Sequence, residues 1–493
     1  MYPHTLATLL ADYRINAPEI PIAGLAVDSR TMKKGEVFLA YPGTDSDGRN
    51  YIEAAIQQGA AAVLYEPDTG IELPNDIPLI PMVGLREHVG ALAARWFNYP
   101  TRHLKIFGVT GTNGKTSCTH YLAQALSALG NACGVLGTLG TGFPSQLQTS
   151  QLTTPGALAV QQITTDLLNQ GAKALAMEVS SHAIVQGRVN CVHFNTAIFT
   201  NLTQDHLDYH HTMSAYGAAK AQLFQWPSLQ HAVINLDDAF GYALFLELQQ
   251  QVILDVIGYT TVGHSDLPAK QMVQAINIVD DQHGLQADVL TPWGKGHLRC
   301  SLLGRFNLEN VLAVLTALCA NGIALGHALA AIEGLSAVPG RLQCFGGKDQ
   351  PLVVVDYAHT PDALQKALAT LRAYQPNKLT CVFGCGGDRD PTKRSLMGSV
   401  AAEFSDVVII TNDNPRTEDP KKIIADIQKG IPLHKHIKVE CDRAKAIEMA
   451  IQAAQAGDIV LIAGKGHEDY QIIGKQRLHF SDAEVVNMVL NCR

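Results

Sequence analysis

The chain has 493 residues, which is too long for one ordinary domain and is typical of about three. Its 47% apolar residues are enough for a large core, and its net charge of −8 argues against a nucleic-acid-binding surface, which would carry a basic stripe. The 10 cysteines are scattered, as is typical of structural thiols in a reducing cytosol. Residues 1–15 contain Asp12 and no basic n-region, so no export signal is predicted.

The first predicted domain covers residues 1–100 and is a small α/β unit. Its pattern predicts strands over residues 20–28, 37–40 and 61–65 and a helix over residues 52–58.

The second predicted domain covers residues 101–337 and alternates strands with helices. Apolar runs over residues 104–109, 172–179 and 196–201 predict strands, and residues 118–129 predict a helix. This alternation favours a mostly parallel, doubly wound sheet, in which ligands bind at the carboxyl ends of the strands. The apolar stretch 311–332 is long enough to test as a membrane span, but Asn321 and Gly322 interrupt it, so two core helices are predicted.

The third predicted domain covers residues 338–493, where the α/β pattern restarts after Pro339-Gly340. Strands are predicted over residues 352–356, 379–383, 407–411 and 458–463, and helices over 361–372 and 395–404. The predicted fold class is therefore α/β in three domains.

The most informative segment lies between the strand 104–109 and the helix that follows it. It comprises Gly111, Thr112, Asn113, Gly114, Lys115, Thr116 and Ser117. A glycine-rich turn between a strand and a helix is the context of a phosphate-binding loop, where backbone N–H groups and the helix N-terminus face an anion. Lys115 would reach the outer phosphates of a nucleoside triphosphate, and the Thr116 hydroxyl would ligate Mg²⁺. The alternative is a glycine-rich turn with a surface lysine.

The loop departs from the strict G-x-x-x-x-G-K-T spacing, which would place glycine at Val109, and T-G-T-N-G-K-T resembles the variant found in Mur ligases. Further motifs occur in the order seen in that family: Val27-Asp28-Ser29-Arg30, Glu178-Val179-Ser180-Ser181-His182, Asp205-His206-Leu207-Asp208, Asp356-Tyr357-Ala358-His359 and Gly464-Lys465-Gly466-His467-Glu468. The resemblance implies an ATP-binding central domain, an N-terminal domain for a nucleotide sugar and a Rossmann-like C-terminal domain for an amino acid. It implies an ATP- and Mg²⁺-dependent ligase that forms an amide through an acyl phosphate.

The resemblance also implies the nucleotide and metal residues. Glu178 and His206 help to hold a second Mg²⁺, and Lys220 carries a carbamate that positions it. Asn307 lies near the nucleotide. Arg341 lies at the presumed hinge before the last domain and reaches the γ-phosphate on closure. His182 and His210 are expected to be structural.

The family pattern places the substrate UDP-N-acetylmuramoyl-L-Ala-D-Glu at two groups of residues. Its uridine diphosphate end is placed against Val27, Ser29, Thr44, Asp45 and Ser46, and its muramoyl-peptide end against Thr153, Thr154, Ser180, Gln186 and Arg188. Leu152 is a departure, since related sequences have asparagine before the Thr-Thr pair.

The turn Asp413-Asn414-Pro415-Arg416 implies the second substrate, because an arginine at its end is typical of the family members that take meso-diaminopimelate. Arg389 and Arg416 would clamp carboxylates, and Asp413, Asn414 and Glu468 would accept from the distal ammonium. Pro415 and Gly464 complete this expected pocket. L-Lysine lacks the distal carboxylate and would leave arginine charge unpaired.

Three alternatives remain open from the sequence. The chain could be a lysine-adding or other amide ligase of the superfamily, a nucleotide-dependent switch, or a non-catalytic structural protein. A switch predicts triphosphate hydrolysis without an amino-acid acceptor. The expected location is the cytoplasm, and the expected state is a monomer without nucleic-acid partners or membrane insertion.

Overall fold

The structure is a computed structural model. It describes residues 4–44, 46–67, 76–150, 152–251, 253–265 and 267–492. These residues belong to two compact units: one comprises the described parts of Met1–Ile276, Asp288–His297 and Glu309–Ile332, and the other those of Asn277–Ala287, Leu298–Leu308 and Glu333–Arg493. The domain boundaries near residues 100 and 337 stay predictions.

The described α-helices are α1 Leu6–Leu10, α2 Ile52–Gln57, α3 Leu85–Trp96, α4 Lys115–Ala128, α5 Ala157–Asn169, α6 Ser181–Val185, α7 Leu207–His210, α8 Met213–Ala221, α9 Ala239–Leu248, α10 Arg305–Ala320, α11 Leu325–Glu333, α12 Pro361–Ala373, α13 Thr392–Phe404, α14 Pro420–Gln428, α15 Arg443–Ala453 and α16 Asp482–Asn491. The described strands are β1 Gly24–Ala26, β2 Glu36–Ala40, β3 Ala62–Tyr65, β4 Leu79–Pro81, β5 Lys105–Thr110, β6 Cys133–Gly137, β7 Gly140–Phe143, β8 Gln146–Gln148, β9 Ala174–Glu178, β10 Thr196–Phe199, β11 His231–Asn235, β12 Asp255–Thr260, β13 Met272–Asp281, β14 Gly284–Thr291, β15 Gly294–Cys300, β16 Gln343–Gly346, β17 Leu352–Asp356, β18 Leu379–Phe383, β19 Val407–Ile410, β20 Ile437–Val439, β21 Ile459–Ala463, β22 Tyr470–Ile473 and β23 Gln476–His479.

The N-terminal sheet has the strand order β1-β2-β3-β4, and all of its pairs are parallel. The strand predicted over residues 20–28 is wrong in length, because β1 covers only Gly24–Ala26. Near the start of the predicted strand, Pro21 has no N–H to donate to a neighbouring strand. At its end, the Asp28 carboxylate accepts from the Arg30 N–H at 3.0 Å, and this contact forms a turn.

The central sheet confirms the predicted doubly wound arrangement. From β12 to β8 its order is β12-β11-β10-β5-β9-β6-β7-β8, and the strands from β12 to β6 are parallel. The chain adds β6 and β9 on one side of β5 and β10 to β12 on the other. The turn after β5 therefore lies where the winding reverses, which is where such sheets bind ligands.

The apolar stretch 311–332 lies in two separate helices, α10 and α11, as predicted. Among the described residues, no helix combines the length and the hydropathy needed to cross a membrane.

The C-terminal sheet has the order β16-β17-β21-β18-β19-β20, in which only the β16 edge pair is antiparallel. Two apolar clusters pack on its faces, one built around Leu364 and Ile427 and the other around Ile447 and Val486. The loops that follow β17, β18, β19 and β21 share one edge of this sheet, because these strands are parallel.

Candidate active site

The glycine-rich loop after β5 is held to the neighbouring strand end by backbone contacts. The Thr112 N–H donates to the Asn201 carbonyl at 2.8 Å, and the Asn113 N–H donates to the Asn201 side-chain oxygen at 2.9 Å. The Lys115 ammonium lies 2.9 Å from the carbonyl of Gly111 and 2.9 Å from that of Thr112, so it folds back over the loop. The helix α4 begins at Lys115, three residues before the predicted start, and its N-terminus opens on the loop. This arrangement presents positive charge and helix N–H groups to an anion.

Gly114 is a residue of this loop that the geometry requires to be glycine. Its φ is +86°, and a Cβ there would lie 2.5 Å from the side-chain oxygen of Asn310. Gly130, after the other end of α4, has a φ of +78° but no atom within 4 Å of a Cβ. We expect Gly114→Ala to displace the loop and lower ATP-dependent turnover by about 10²-fold, since small misplacements of reacting groups have effects of that order.

Gly130→Ala is the matched control, because it carries the same backbone strain of roughly 1–2 kcal/mol without the clash. Steady-state kinetics and thermal unfolding of both variants check the expectation. Similar turnover in the two variants would contradict a special role for Gly114.

Glu178 ends β9 and is buried, with only 1% of its surface exposed. Its Oε2 accepts from the Thr116 hydroxyl at 3.1 Å, and its Oε1 accepts from the Thr138 N–H at 2.8 Å. The Thr138 hydroxyl also lies 3.2 Å from the Thr153 hydroxyl. Thr116 and Glu178, both predicted metal ligands, are thus brought together, and they offer the oxygen atoms that Mg²⁺ prefers. Sequence reasoning missed Thr138, although it directly follows β6 at the same sheet edge.

Lys220 lies on α8 and is 1% exposed. Its ammonium donates to the Gly111 carbonyl at 2.8 Å and sits 4.3 Å from the centre of the Tyr216 ring. Burial, followed by the positive charge of Lys115, lowers the pKa of Lys220 well below that of an ordinary lysine. The structure therefore places this predicted residue against the phosphate-binding loop, under conditions that favour a neutral amine.

His206 lies outside these oxygen contacts and in a cluster of rings. It precedes α7 with a φ of +53°, and its ring centre lies 4.8 Å from that of His182 and 6.0 Å from that of Tyr216. Burial and the neighbouring histidines lower the pKa of His182 to about 4, so His182 is neutral at pH 7. His210 contacts the Ser181 hydroxyl at 2.9 Å, which agrees with a structural role.

The residues predicted for the muramoyl-peptide end form one network at the end of β9. The Thr154 hydroxyl donates to the Glu178 carbonyl at 2.8 Å and accepts from the Ser180 N–H at 3.2 Å. The Arg188 guanidinium donates to the Thr154 carbonyl at 3.0 Å and to the Gln186 side-chain oxygen. This network joins the predicted substrate residues directly to Glu178.

The residues predicted for the uridine diphosphate end follow two neighbouring parallel strands, β1 and β2. Val27 is 42% exposed and Ser29 is buried. Thr44 and Ser46 are exposed, whereas Asp45 lies outside the described residues. An exposed valine beside a turn at the carboxyl ends of parallel strands is consistent with a ligand-binding edge.

The Asp413–Arg416 turn follows β19 and interlocks with the loop after β18. The Arg416 guanidinium donates to the Gly387 carbonyl at 2.7 Å, and the Gly387 N–H donates to the Asn414 carbonyl at 2.9 Å. A Cβ at Gly387 would lie 2.0 Å from the Pro415 carbonyl oxygen, so only glycine fits there. Arg389, in the same loop, is exposed.

The loop after β21 closes on the same turn. Asn414 donates from its side-chain nitrogen to Glu468 Oε2 at 2.9 Å, and its side-chain oxygen accepts from the Ile472 N–H at 2.9 Å. A Cβ at Gly464 would lie 2.7 Å from the Asp413 carboxylate. Burial raises the pKa of Asp413 above its usual range. Asp413, Asn414, Gly464 and Glu468, which the sequence assigned to one pocket, are therefore in contact.

The last two predicted nucleotide residues lie in the second unit. Asn307 is buried near the start of α10 and donates to the Leu303 carbonyl at 2.8 Å. The Arg341 guanidinium lies 5.0 Å from the centre of the Tyr357 ring, and the ring of Tyr357 in turn lies 4.7 Å from that of His359. The aromatic ring holds Arg341 in place by a cation–π contact.

Comparison with known proteins places this geometry in a family. Sequence models of the Mur ligase family match three segments: the catalytic domain at residues 21–97, the middle domain at 109–318 and the glutamate ligase domain at 340–466.

Two similar relatives are named UDP-N-acetylmuramoyl-L-alanyl-D-glutamate–2,6-diaminopimelate ligase. The protein of Pseudomonas putida is 48% identical over 94% of this chain and 93% of its own length. The protein of Coxiella burnetii is 47% identical over 96% of both.

A solved structure with the same name is 36% identical and has a TM-score of 0.75 over 100% of this chain and 99% of its own. The MurF ligase of Thermotoga maritima, solved in complex with ADP, shares the fold, with 19% identity, a TM-score of 0.62 and coverage of 95% of this chain and 96% of its own. The matching family models and these near-full-length relatives show that the chain belongs to the Mur ligase family.

Proposed function

We propose that this protein is an ATP-dependent amide ligase that adds meso-2,6-diaminopimelate to the γ-carboxylate of D-glutamate in UDP-N-acetylmuramoyl-L-Ala-D-Glu, a step in peptidoglycan precursor synthesis. The observation that carries the proposal is the Thr116–Glu178 hydrogen bond of 3.1 Å. It joins the loop suited to a triphosphate to the Thr154–Arg188 network suited to a carboxylate substrate. These contacts support a site at Glu178 where a phosphoryl donor and a carboxylate acceptor would meet.

The proposed reaction has two steps. A carboxylate oxygen of the substrate attacks the γ-phosphorus, ADP leaves, and an acyl phosphate forms. The amine of the diamino acid then attacks the acyl carbon, phosphate leaves, and an amide remains after loss of a proton. Lys115 and the loop N–H groups stabilise the negative charge that spreads over the transferring phosphoryl group, and Arg188 orients the acceptor.

Thr116 and Glu178 would hold Mg²⁺, to which the family pattern adds His206 and a carbamylated Lys220, and the ion supplies charge neutralisation to the phosphates when bound. The donor set supports this, because Glu178 is a buried carboxylate that faces a hydroxyl of the loop. Carbamylation of Lys220 is supported by its lowered pKa, since only a neutral amine reacts with CO₂. The carbamate would retain an N–H, which preserves the donation to the Gly111 carbonyl.

The amino-acid substrate is assigned to the pocket formed by the loops after β18, β19 and β21. The Arg416 guanidinium would pair with the distal carboxylate of the substrate, and the Glu468 carboxylate would pair with its distal ammonium. We infer that the protein acts in the cytoplasm, because ATP and UDP-linked sugars are cytosolic metabolites, and the monomeric state stays an expectation from the sequence.

Phosphate release with ATP, Mg²⁺ and UDP-N-acetylmuramoyl-L-Ala-D-Glu tests the proposal, with meso-diaminopimelate or L-lysine added in parallel. We expect release that depends on meso-diaminopimelate, together with a heavier nucleotide product by mass spectrometry. Phosphate release with L-lysine instead would overturn the proposed role of Arg416, but the protein would still be an amide ligase. Release without any acceptor would indicate a nucleotide-dependent switch.

A further inference from the structure

We propose that Lys465 is a positioning residue of the amino-acid pocket, whose buried ammonium fixes the Glu468 carboxylate, directly and through the Asn414 amide, in the orientation that binds the distal ammonium of the diamino acid. The proposal rests on the proposed function and deepens it. The motif around Lys465 is evident in the sequence, but only its neighbours Gly464 and Glu468 were assigned to the pocket.

The backbone around Lys465 is tightly constrained. Gly464 and Gly466 have φ values of +114° and +54°, a region that favours glycine. A Cβ at Gly464 would lie 2.7 Å from the Asp413 carboxylate, and a Cβ at Gly466 would lie 2.6 Å from Tyr357 Cβ. This loop thus packs between the loop after β17 and the loop after β19. The Lys465 side chain, between the two glycines, is 0% exposed.

The Lys465 ammonium closes a triangle of hydrogen bonds. It donates to Glu468 Oε2 at 2.9 Å and to the Asn414 side-chain oxygen at 3.3 Å. Asn414 in turn donates to the same Glu468 oxygen at 2.9 Å. Both donors contact Oε2 of Glu468, and Tyr470 forms a further side-chain hydrogen bond with this carboxylate.

This triangle also determines which way the Asn414 amide points. An ammonium and a backbone N–H are donors only, and both Lys465 and Ile472 direct their hydrogens at the Asn414 oxygen. The amide nitrogen must then face the Glu468 acceptor. Without Lys465, one of the two donors that select this orientation is lost.

The Lys465 ammonium also brings a positive charge to a group of buried carboxylates. Glu468 is mostly buried, and Asp413, another carboxylate, lies beside Gly464 in the same loop cluster. Burial raises the pKa of Asp413 and the charge of Arg443 opposes this rise, but Arg443 is already engaged with Asp482 at 2.7 Å. Lys465 forms an ion pair with Glu468 at 2.9 Å, and removing one partner of a buried pair leaves an uncompensated charge.

The test is Lys465→Met, which keeps the length of the side chain but removes its charge and its donors. We expect the KM for meso-diaminopimelate to rise roughly 10- to 100-fold, since a hydrogen bond to a charged group contributes about that factor. The KM values for ATP and for the UDP-linked substrate should stay within about twofold, because the contacts of Lys465 lead to the amino-acid pocket. Lys465→Gln, which keeps an N–H donor, should give an intermediate KM, and it provides the same comparison if the Met variant does not fold.

Lys435→Met is the matched control. Lys435 lies in the same domain, is half-buried, and donates to the Ser405 carbonyl away from the pocket loops. It should leave all three KM values unchanged.

A double-mutant cycle with Glu468→Gln separates positioning from general destabilisation. If Lys465 acts by holding Glu468, the double variant should be little worse than the poorer single variant, whereas independent effects would multiply. Equal rises in all three KM values, or multiplicative effects in the cycle, would overturn the proposal. Failure of the wild-type protein to use meso-diaminopimelate would instead overturn the proposed function.

Discussion

Lys220→Ala is expected to lower the rate of amide formation by about 10²- to 10³-fold, which is typical of removing a group that stabilises charge in the transition state. Lys220 is 1% exposed and donates to the Gly111 carbonyl of the phosphate-binding loop at 2.8 Å. If its amine carries a carbamate, the substitution removes a carboxylate from a buried site beside the loop proposed to bind the triphosphate. Single-turnover rates with ATP and the UDP-linked substrate measure the effect.

The carbamate itself can be tested apart from the loss of packing. A small carboxylate such as formate should partly restore turnover in Lys220→Ala, because it can occupy the space left by the side chain. The wild-type protein equilibrated with ¹³CO₂ should show a carbamate resonance that Lys220→Ala lacks. Absence of both signals, with a large loss of activity, would leave Lys220 as a packing residue and contradict the carbamate.

Arg416→Ala is expected to lower kcat/KM for meso-diaminopimelate by roughly 30- to 4,000-fold, which corresponds to the 2–5 kcal/mol effect of truncating one partner of a buried charge pair. The Arg416 guanidinium is held by the Gly387 carbonyl at 2.7 Å, so it is already oriented before substrate binds. Its φ of +52° is unfavourable for any residue with a Cβ, and alanine retains this strain. The loss should therefore reflect the missing guanidinium.

The KM for ATP serves as the internal reference for this variant and should change little. Arg372→Ala is the matched control, because Arg372 lies on α12 of the same domain and donates to the Phe404 carbonyl. We also expect discrimination against L-lysine to shrink in Arg416→Ala, since an unpaired arginine no longer penalises the missing carboxylate. Unaltered kinetics with meso-diaminopimelate would remove Arg416 from the pocket.

The strands that carry the site were largely predictable, as were the starts of α2 and α12, whereas the starts of α4 and α13 were not. Predicted and observed strands agree closely at β5, β17 and β21, because buried parallel strands are continuous apolar runs. The helices α4 and α13 each begin three residues before their predicted starts at 118 and 395. Their first turns are polar, Lys115 to Ser117 and Thr392 to Arg394, so apolar periodicity does not detect them.

The side-chain partners within the site could not be predicted from the order of the motifs. Thr138 meets Glu178 across 40 positions of the chain, and Lys465 meets Asn414 across 51. Such pairs depend on which strands become neighbours, and that is decided by the winding of the sheet. Asn414 shows the same effect. The sequence predicts it as an acceptor for the substrate ammonium, but in the structure its side-chain oxygen already accepts from Lys465 and Ile472.

The sequence by itself determined the chemistry that is possible: a phosphate-binding loop between strand and helix, carboxylates and hydroxyls at strand ends, and an arginine-bearing turn. These three features can be recognised from residue types and their spacing, because each is formed by residues close together in the sequence. The tertiary structure decided which of these groups are in contact, which way the Asn414 amide points, and which lysines are buried away from solvent. Burial of Lys220 and Lys465 arises only when strands distant in sequence pack together, because desolvation and charge pairing depend on every element around the side chain.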